Sequence, residues 1–315
     1  MTTNAVEVDA LAKTYPGGIE AVKGITFHVE PGEVFGLLGP NGAGKSTTIG
    51  ILTTTISPTT GSARLAGFDV ARQPLEARSV SSVVFQEAVV DRGLSGRANL
   101  RLHADLWGLE PAAARERIDE LACLLGLEEL LDRPVASYSG GQRRRLEIAR
   151  ALVSRPRVLF LDEPTVGLDP RIRLELLDAI AALRGREEMT IVLTTHYLEE
   201  AERLCDRVAI VHEGHIVALD TPDALLYDLG GELLEVRIDG DLQVALAALG
   251  AKGFVAAEAY AVGQTLTIPL RDGGAGPALA ALDQAGLRTG AISTRRPTLD
   301  DVYLRLTGER FATAA

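Results

Sequence analysis

The chain of 315 residues has two cysteines, Cys123 and Cys205, far apart and at no metal-ligand spacing. That scarcity speaks against a disulfide framework or a thiolate metal centre, and for ordinary burial in a reducing compartment. Long apolar runs are missing as well. None approaches the roughly 18–20 residues that a spanning helix needs, so any membrane role has to be borrowed from a partner. No basic–apolar–small leader pattern opens the sequence. Basic charge is short, with 32 Lys+Arg against 43 Asp+Glu and a net charge of −11, which disfavours a nucleic-acid partner. What remains, 46% hydrophobic and 24% charged, is the composition of a globular protein, and the length allows two domains.

The richest stretch is Gly39-Pro-Asn41-Gly42-Ala43-Gly44-Lys45-Ser46-Thr47, which fits G-x-x-x-x-G-K-[ST], the phosphate-binding loop. A short apolar strand over 33–38 precedes it and a helix follows from 48, the context this motif requires. Gly39, Gly42 and Gly44 let the backbone turn its N–H groups onto an anion, and the helix start adds partial positive charge. Lys45 supplies a full charge for the outer phosphates and Ser46 a hydroxyl for Mg²⁺. Thr47 stands next in line for an inner phosphate. Asn41 and Ala43 complete the loop.

Ahead of it, Val6, Val8, Ile25, Phe27 and Val29 alternate with polar residues, the period of half-exposed antiparallel strands. Tyr15 sits in the turn between them. It fits equally a residue stacked on a flat base and one that merely covers a turn. The apolar strand over 79–85 ends at Gln86. A strand end in an open sheet lies near the ligand edge; Gln86 suits either a contact to metal or water there or a plain polar loop.

Residues 95–131 change to helical spacing, as a subdomain inserted into the sheet domain, with Trp107 expected in its core. Ser139-Gly140-Gly141-Gln142 then offers a second anion site at a helix start, with Ser139 as N-cap. Arg143, Arg144 and Arg145 read as a solvated basic face. The unbroken apolar run 158–161 suits a strand buried on both faces and delivers Asp162 and Glu163 at its end. Asp162 can hold Mg²⁺ through water, while Glu163 can orient or deprotonate an attacking water. Asp169 and Pro170 form an N-cap and N1 pair. The strand 190–195 ends at His196, on the same sheet edge as Gln86 and Asp162, where a γ-phosphate contact is open to it. His212 and His215 read as flanking a β-turn at Glu213-Gly214 rather than as a zinc pair.

Three signatures in this order, 39–47, 139–142 and 158–163, resemble the ATP-binding cassette (ABC) ATPases over residues 4–222. The resemblance implies Tyr15 as the adenine-stacking residue, Gln86 as the Q-loop, Ser139 to Gln142 as the signature, Asp169 as the D-loop and His196 as the switch histidine. Tyr138 departs from the family, which usually has leucine there. The family works as a dimer of cassettes, each ATP and Mg²⁺ held between one chain's loop and the other chain's signature.

The expected architecture is therefore α/β: a P-loop NTPase cassette over 4–229, with a mostly parallel core sheet, an antiparallel β subdomain and a helical subdomain over about 95–155. A small accessory domain over 230–315 follows the Gly230-Gly231 pair. Its pattern runs β-α-β-β-α-β, with a strand expected over 254–262, and suggests a ferredoxin-like unit. The ending 296–308, with Val90-Asp91 and the stretch 94–100, is similar to the daunorubicin-resistance type of ABC-2 drug exporters. That likeness implies a separate ABC-2-type membrane permease, an antibiotic or lipid-like cargo, and a peripheral place on the cytoplasmic face of the membrane. An importer cassette with a sugar-type regulatory tail is disfavoured by the ending 296–308, and a soluble ABC protein of ribosomes or DNA is the other class. The single cassette and the acidic balance disfavour it.

Overall fold

A computed structural model describes residues 4–87, 89–187, 189–251, 259–270 and 274–308. In chain order the first part runs β1 (Val6–Tyr15), β2 (Ile19–Val29), β3 (Val34–Leu38), α1 (Lys45–Leu52), β4 (Thr60–Leu65), β5 (Phe68–Asp69), α2 (Pro74–Ser79) and β6 (Ser81–Val84). It continues with α3 (Gly96–Leu106), α4 (Pro111–Leu125), α5 (Gly140–Leu152), β7 (Val158–Asp162), α6 (Pro170–Glu187), β8 (Thr190–Thr195), α7 (Leu198–Leu204), β9 (Arg207–His212) and β10 (His215–Asp220). The rest comprises α8 (Pro222–Tyr227), β11 (Glu232–Asp239), α9 (Leu242–Ala251), β12 (Tyr260–Val262), β13 (Thr265–Leu270), α10 (Gly276–Gln284), β14 (Arg288–Arg295) and α11 (Leu299–Thr307).

Two sheets build the first unit. Alternating strands make the antiparallel sheet, in the order β2-β1-β4-β5. The uninterrupted apolar strands make the second, ordered β10-β9-β3-β8-β7-β6, with parallel pairing from β9 through β6. Strands β3, β7 and β8 are buried at every residue, as runs without polar alternation require. One core joins the two sheets: Val8, Ile25 and Phe27 from one, Phe35, Leu37 and Phe160 from the other, and Ile49 and Leu52 of α1. The rings of Phe27 and Phe35 stack 5.2 Å apart. The turn between β9 and β10 holds Glu213 and Gly214 at φ 46° and 84°, the two left-handed residues of a tight hairpin, as the sequence indicated.

Trp107 departs from expectation. Helix α3 ends at Leu106, so Trp107 falls at its C-cap, out of the buried register, and 38% of it is exposed. Its indole N–H donates to His103 Nε2 at 3.1 Å. Leu102 and Leu106 on the same helix are exposed too, at 53% and 76%.

The chain divides into two compact units, residues 1–219 and 220–314, rather than at the glycine pair 230–231. Helix α8 accounts for the difference: it belongs with the second unit, where Arg305 of α11 donates to the carbonyl of Asp228 at 3.1 Å. In that unit the strands order as β12-β13-β11-β14, all antiparallel, with α9 and α10 between them in sequence as β-α-β-β-α-β. Leu234, Val236 and Ile238 of β11 and Leu266, Ile268 and Leu270 of β13 bury against Ala245, Leu249, Ala278, Ala281 and Leu282. The strand expected over 254–262 is seen from Tyr260; its stretch 254–258 lies outside the described residues.

One polar knot ties α11 to this sheet. The Asp301 carboxylate, 3% exposed as a residue, accepts from Arg295 Nη1 and Nη2 at 2.7 Å each, from Tyr260 Oη at 2.6 Å and from the backbone N–H of Thr298 at 2.8 Å. Burial alone would raise its pKa, but these donors outweigh burial and hold it below the usual carboxylate range. Asp301→Ala removes one of the two carboxylates on Arg295, leaving Glu235 Oε1 at 2.8 Å, and takes their acceptor from Tyr260 Oη and the Thr298 N–H. Asp301→Ala is thus expected to cost about 2–4 kcal/mol, at the low end because Arg295 keeps some water access. Differential scanning of the full chain checks this: the transition of the second unit should move down while ATP binding stays.

Candidate active site

Strand register brings the site together. Leu38 pairs with Thr195 and Asp162 with Thr194, so the three buried strands end level with one another. Val84 of β6 pairs with Leu161 at the same edge. The next residues along each strand are Gly39, His196, Glu163 and, two beyond the end of β6, Gln86. In an open parallel sheet this edge is where ligands sit.

After β3 the chain turns through the loop into α1. Gly44 caps the helix at φ 108°, and a Cβ there would run into the carbonyl of Ala21, so only glycine fits. No side chain caps α1, and its first turn holds no acidic residue. The N–H groups of that turn have no partner within the helix and carry its partial positive charge. The loop is braced from behind by the β9–β10 turn, whose Gly214 N–H donates to the Ala43 carbonyl at 3.0 Å and whose carbonyl accepts from Lys23 N at 2.9 Å. Lys45 is 4% exposed, and its ammonium donates to the carbonyls of Gly39 at 2.6 Å and Pro40 at 3.1 Å. Burial pushes its pKa down, with nearby Glu163 and Asp162 acting the other way. Tyr15 reaches the loop helix, its hydroxyl 3.4 Å from Thr47 Oγ1.

Opposite Lys45 stand the carboxylates. Asp162 Oδ1 accepts from Thr194 Oγ1 at 2.6 Å and lies 3.4 Å from Ser46 Oγ. Glu163 Oε1 is 3.6 Å from Lys45 Nζ and 3.3 Å from His196 Nδ1. The His196 contact lacks hydrogen-bond geometry and leaves that ring nitrogen buried without a partner. Glu163 itself holds φ 46°, left-handed for a residue with a full side chain. Such a conformation costs about 1–3 kcal/mol and persists only where the surroundings over-determine it. Here the Glu163 N–H donates to both the carbonyl and the hydroxyl of Thr194, at 3.2 and 3.0 Å.

The second helix start is built differently. Ser139 Oγ accepts from Gln142 N at 3.3 Å while Gln142 Oε1 accepts from Ser139 N at 2.9 Å, a reciprocal capping box. The amide oxygen of Gln142 is therefore engaged in the cap. Gly141 is buried, and a Cβ on it would strike Ile172 of α6; Ser139 and Gly140 are exposed. Behind them the departure at Tyr138 is accommodated locally: its hydroxyl donates to the Leu130 carbonyl and occupies the space where Gly96 lacks a side chain. Asp169 caps α6, its Oδ1 accepting from Ile172 N at 3.1 Å, and is exposed; Gln86 is exposed as well.

The basic face expected over 143–145 is wrong at its middle residue. Arg144 is 7% exposed and turns inward onto backbone carbonyls of the carboxylate segment. Arg145 is partly buried in a pair with Glu175 at 3.0 Å. A carboxylate three residues on, Glu147, was the one signal in the sequence: it is 2% exposed and pairs with Arg144 at 2.9 Å.

The sequence pattern described as ABC transporter matches residues 22–166. The chain is 43% identical over 312 residues to the daunorubicin resistance ATP-binding protein DrrA2 of Streptomyces coeruleorubidus, covering 97% of this chain and 96% of that protein. It is 41% identical over 310 residues to the Nod factor export ATP-binding protein I of Paraburkholderia xenovorans (strain LB400), covering 98% of each. Among solved structures it resembles cbiO1 of Clostridium perfringens, described as part of an ABC transporter complex, with a TM-score of 0.67 and 29% identity over 71% of this chain and 91% of that one.

Proposed function

This chain belongs to the ABC transporter ATP-binding family, and from that premise we propose that two copies of it clamp two ATP molecules and drive an ABC-2-type exporter of a drug-like or lipid-like compound. Membership makes it a cassette ATPase that powers transport. The observation that supports the rest is the exposure of a second helix start outside the buried cluster. Lys45, Asp162 and Glu163 form one buried cluster with the loop, while Ser139 and Gly140 stand exposed at the end of α5. A second phosphate-binding end serves an ATP already held by the loop only from the far side, so it belongs to a second copy.

Within each shared site the roles follow from the contacts. Loop N–H groups and Lys45 hold the phosphates, and Tyr15, next to Thr47, packs on the base. The donors near the loop end, Asp162 and the Ser46 hydroxyl, are hard oxygens that suit Mg²⁺. That ion would offset charge on the phosphate oxygens. Glu163 takes the proton of the attacking water, and His196 orients toward the outer phosphate beside it. Gln86 answers to the same edge. Asp169, exposed at the cap of α6, faces the second copy. A closed site excludes water and aims fixed dipoles at the developing charge. Hydrolysis removes the bridging phosphate, and the loosened pair turns chemistry into movement.

No helix among the described residues is long and apolar enough to cross a membrane. The permease must therefore dock from outside, and the exposed Leu102, Leu106 and Trp107 of the α3 end are the patch that suits it. Placed there, the chain acts at the cytoplasmic face of the membrane. One relative is named for daunorubicin resistance and another for Nod factor export, different compounds on similar chains, which supports a permease rather than this chain as the selector of cargo. The second unit, ferredoxin-like in its strand order, is its accessory domain. Trp107→Ala should weaken co-purification with the permease subunit from membranes about 10-fold or more, since buried aromatic anchors dominate such interfaces. The ATPase rate of the isolated chain should stay unchanged. Equal recovery of the permease with both forms would exclude this patch.

A further inference from the structure

Arg144 stands outside the roles above, yet its guanidinium spends every donor it has. Nε donates to the Pro164 carbonyl at 2.8 Å; Nη1 donates to the Phe85 carbonyl and to Glu147 Oε2 at 2.9 Å; Nη2 donates to the carbonyls of Asp162 at 3.1 Å and Glu163 at 3.3 Å. Five N–H groups meet five acceptors. Four of these are backbone carbonyls on the two segments that carry Gln86 and the paired carboxylates. We propose that Arg144 is a positioning residue of the ATPase site, fixing the backbone of Glu163 from within the helix that Ser139 caps. The inference rests on the reading of Glu163 as the base.

The left-handed backbone of Glu163 is why such a clamp is needed. Thr194 restrains its N–H side, and Arg144 restrains its carbonyl side. Without the second restraint the residue is free to relax toward an ordinary strand conformation, and its carboxylate leaves the place beside Lys45. The same helix grips the segment that holds Gln86 at both ends. Arg144 takes the Phe85 carbonyl, Glu147 Oε1 accepts from Val89 N at 3.2 Å, and Arg150 Nη1 donates to the Val89 carbonyl at 3.0 Å. Because Arg144 and Ser139 ride on one helix end, a tilt of α5 moves the exposed cap and the catalytic backbone together. A lysine keeps the charge opposite Glu147 but presents a point charge without the planar fork.

Arg144→Lys is the test, with steady-state ATPase kinetics, ATP binding by calorimetry and a melting curve on the full chain. The expected result is a kcat lowered about 30-fold or more, with KM and ATP affinity within about 3-fold of the wild type. The loss should persist at temperatures where the variant is fully folded. A kcat that recovers there, or one that falls only in step with ATP affinity, makes Arg144 a purely structural residue and overturns the proposal. If Arg144→Lys does not fold, Glu147→Gln replaces it: the weaker grip should lower kcat several-fold at unchanged KM, and a wild-type kcat overturns the proposal. Glu163→Gln, run alongside, separates the two failures. Lost hydrolysis there with a wild-type rate for Arg144→Lys sinks Arg144 alone, whereas wild-type hydrolysis by Glu163→Gln removes the base reading and the inference with it.

Discussion

Glu163→Gln should hydrolyse ATP about 10²–10⁴-fold more slowly than the wild type, the range a positioned general base contributes. The amide keeps the shape of the side chain and its place beside Lys45 and His196, at 3.6 and 3.3 Å in the parent. It cannot accept the proton of an attacking water. Binding should survive, because the phosphates are held by the loop and Lys45 rather than by Glu163. The variant is therefore expected to accumulate as an ATP-filled dimer, visible by size-exclusion chromatography when ATP is added. A full hydrolysis rate would show that the proton goes elsewhere.

Lys45→Ala should act on the earlier step. With the ammonium gone, a charged hydrogen bond to phosphate is lost, worth about 1.5–3 kcal/mol, or roughly 10–100-fold in affinity. The resting contacts temper this figure. Lys45 already donates to Gly39 and Pro40, so binding exchanges those bonds for phosphate ones. A second cost adds to it: Glu163 then sits buried near the phosphates with no cation across from it. Because burial lowers the pKa of Lys45, its charge is lost at lower pH than that of an ordinary lysine. Nucleotide affinity of the wild type should thus start to fall earlier on the alkaline side, and the variant should lack that slope. Calorimetry across pH checks both, and an affinity equal to the wild type would remove Lys45 from the site.

Much of this was legible because it is local. The loop, the two carboxylates after an apolar run, the cap at Asp169 and the turn at Glu213-Gly214 each depend on a few adjacent residues. Most strands of both units follow from period and punctuation in the same way, whereas helices α2, α7 and α11 do not, and Ser79, expected at a strand start, closes α2. What escaped notice depends on distant segments meeting. Three consecutive arginines on a helix start differ in sequence only by Glu147 three residues beyond the middle one, and the arrival of carbonyls from 85 and 162–164 completes the burial of Arg144. Trp107 has helical spacing from His103, but α3 stops one residue short of it and turns it to the surface. The left-handed backbone of Glu163 leaves no mark in sequence, since glycine, its usual sign, is absent there. Helix α8, ahead of the Gly230-Gly231 pair, packs with the compact unit 220–314.

The shared-site dimer can be tested by mixing two inactive chains. Lys45→Ala damages the loop. Gly140→Asp damages the signature without unfolding it: a Cβ at Gly140 meets Leu168 at an ordinary 3.4 Å, and an acid suits a helix start, while its charge repels phosphate. In a mixed dimer both lesions fall in one site, and the other site pairs an intact loop with an intact signature. At an ATP concentration well below the dissociation constant of Lys45→Ala, each variant alone is expected to be nearly silent, and the equimolar mixture to regain a substantial fraction of the wild-type ATPase rate. A mixture as silent as its parts, or Gly140→Asp hydrolysing ATP at full rate by itself, would contradict a nucleotide held between two chains.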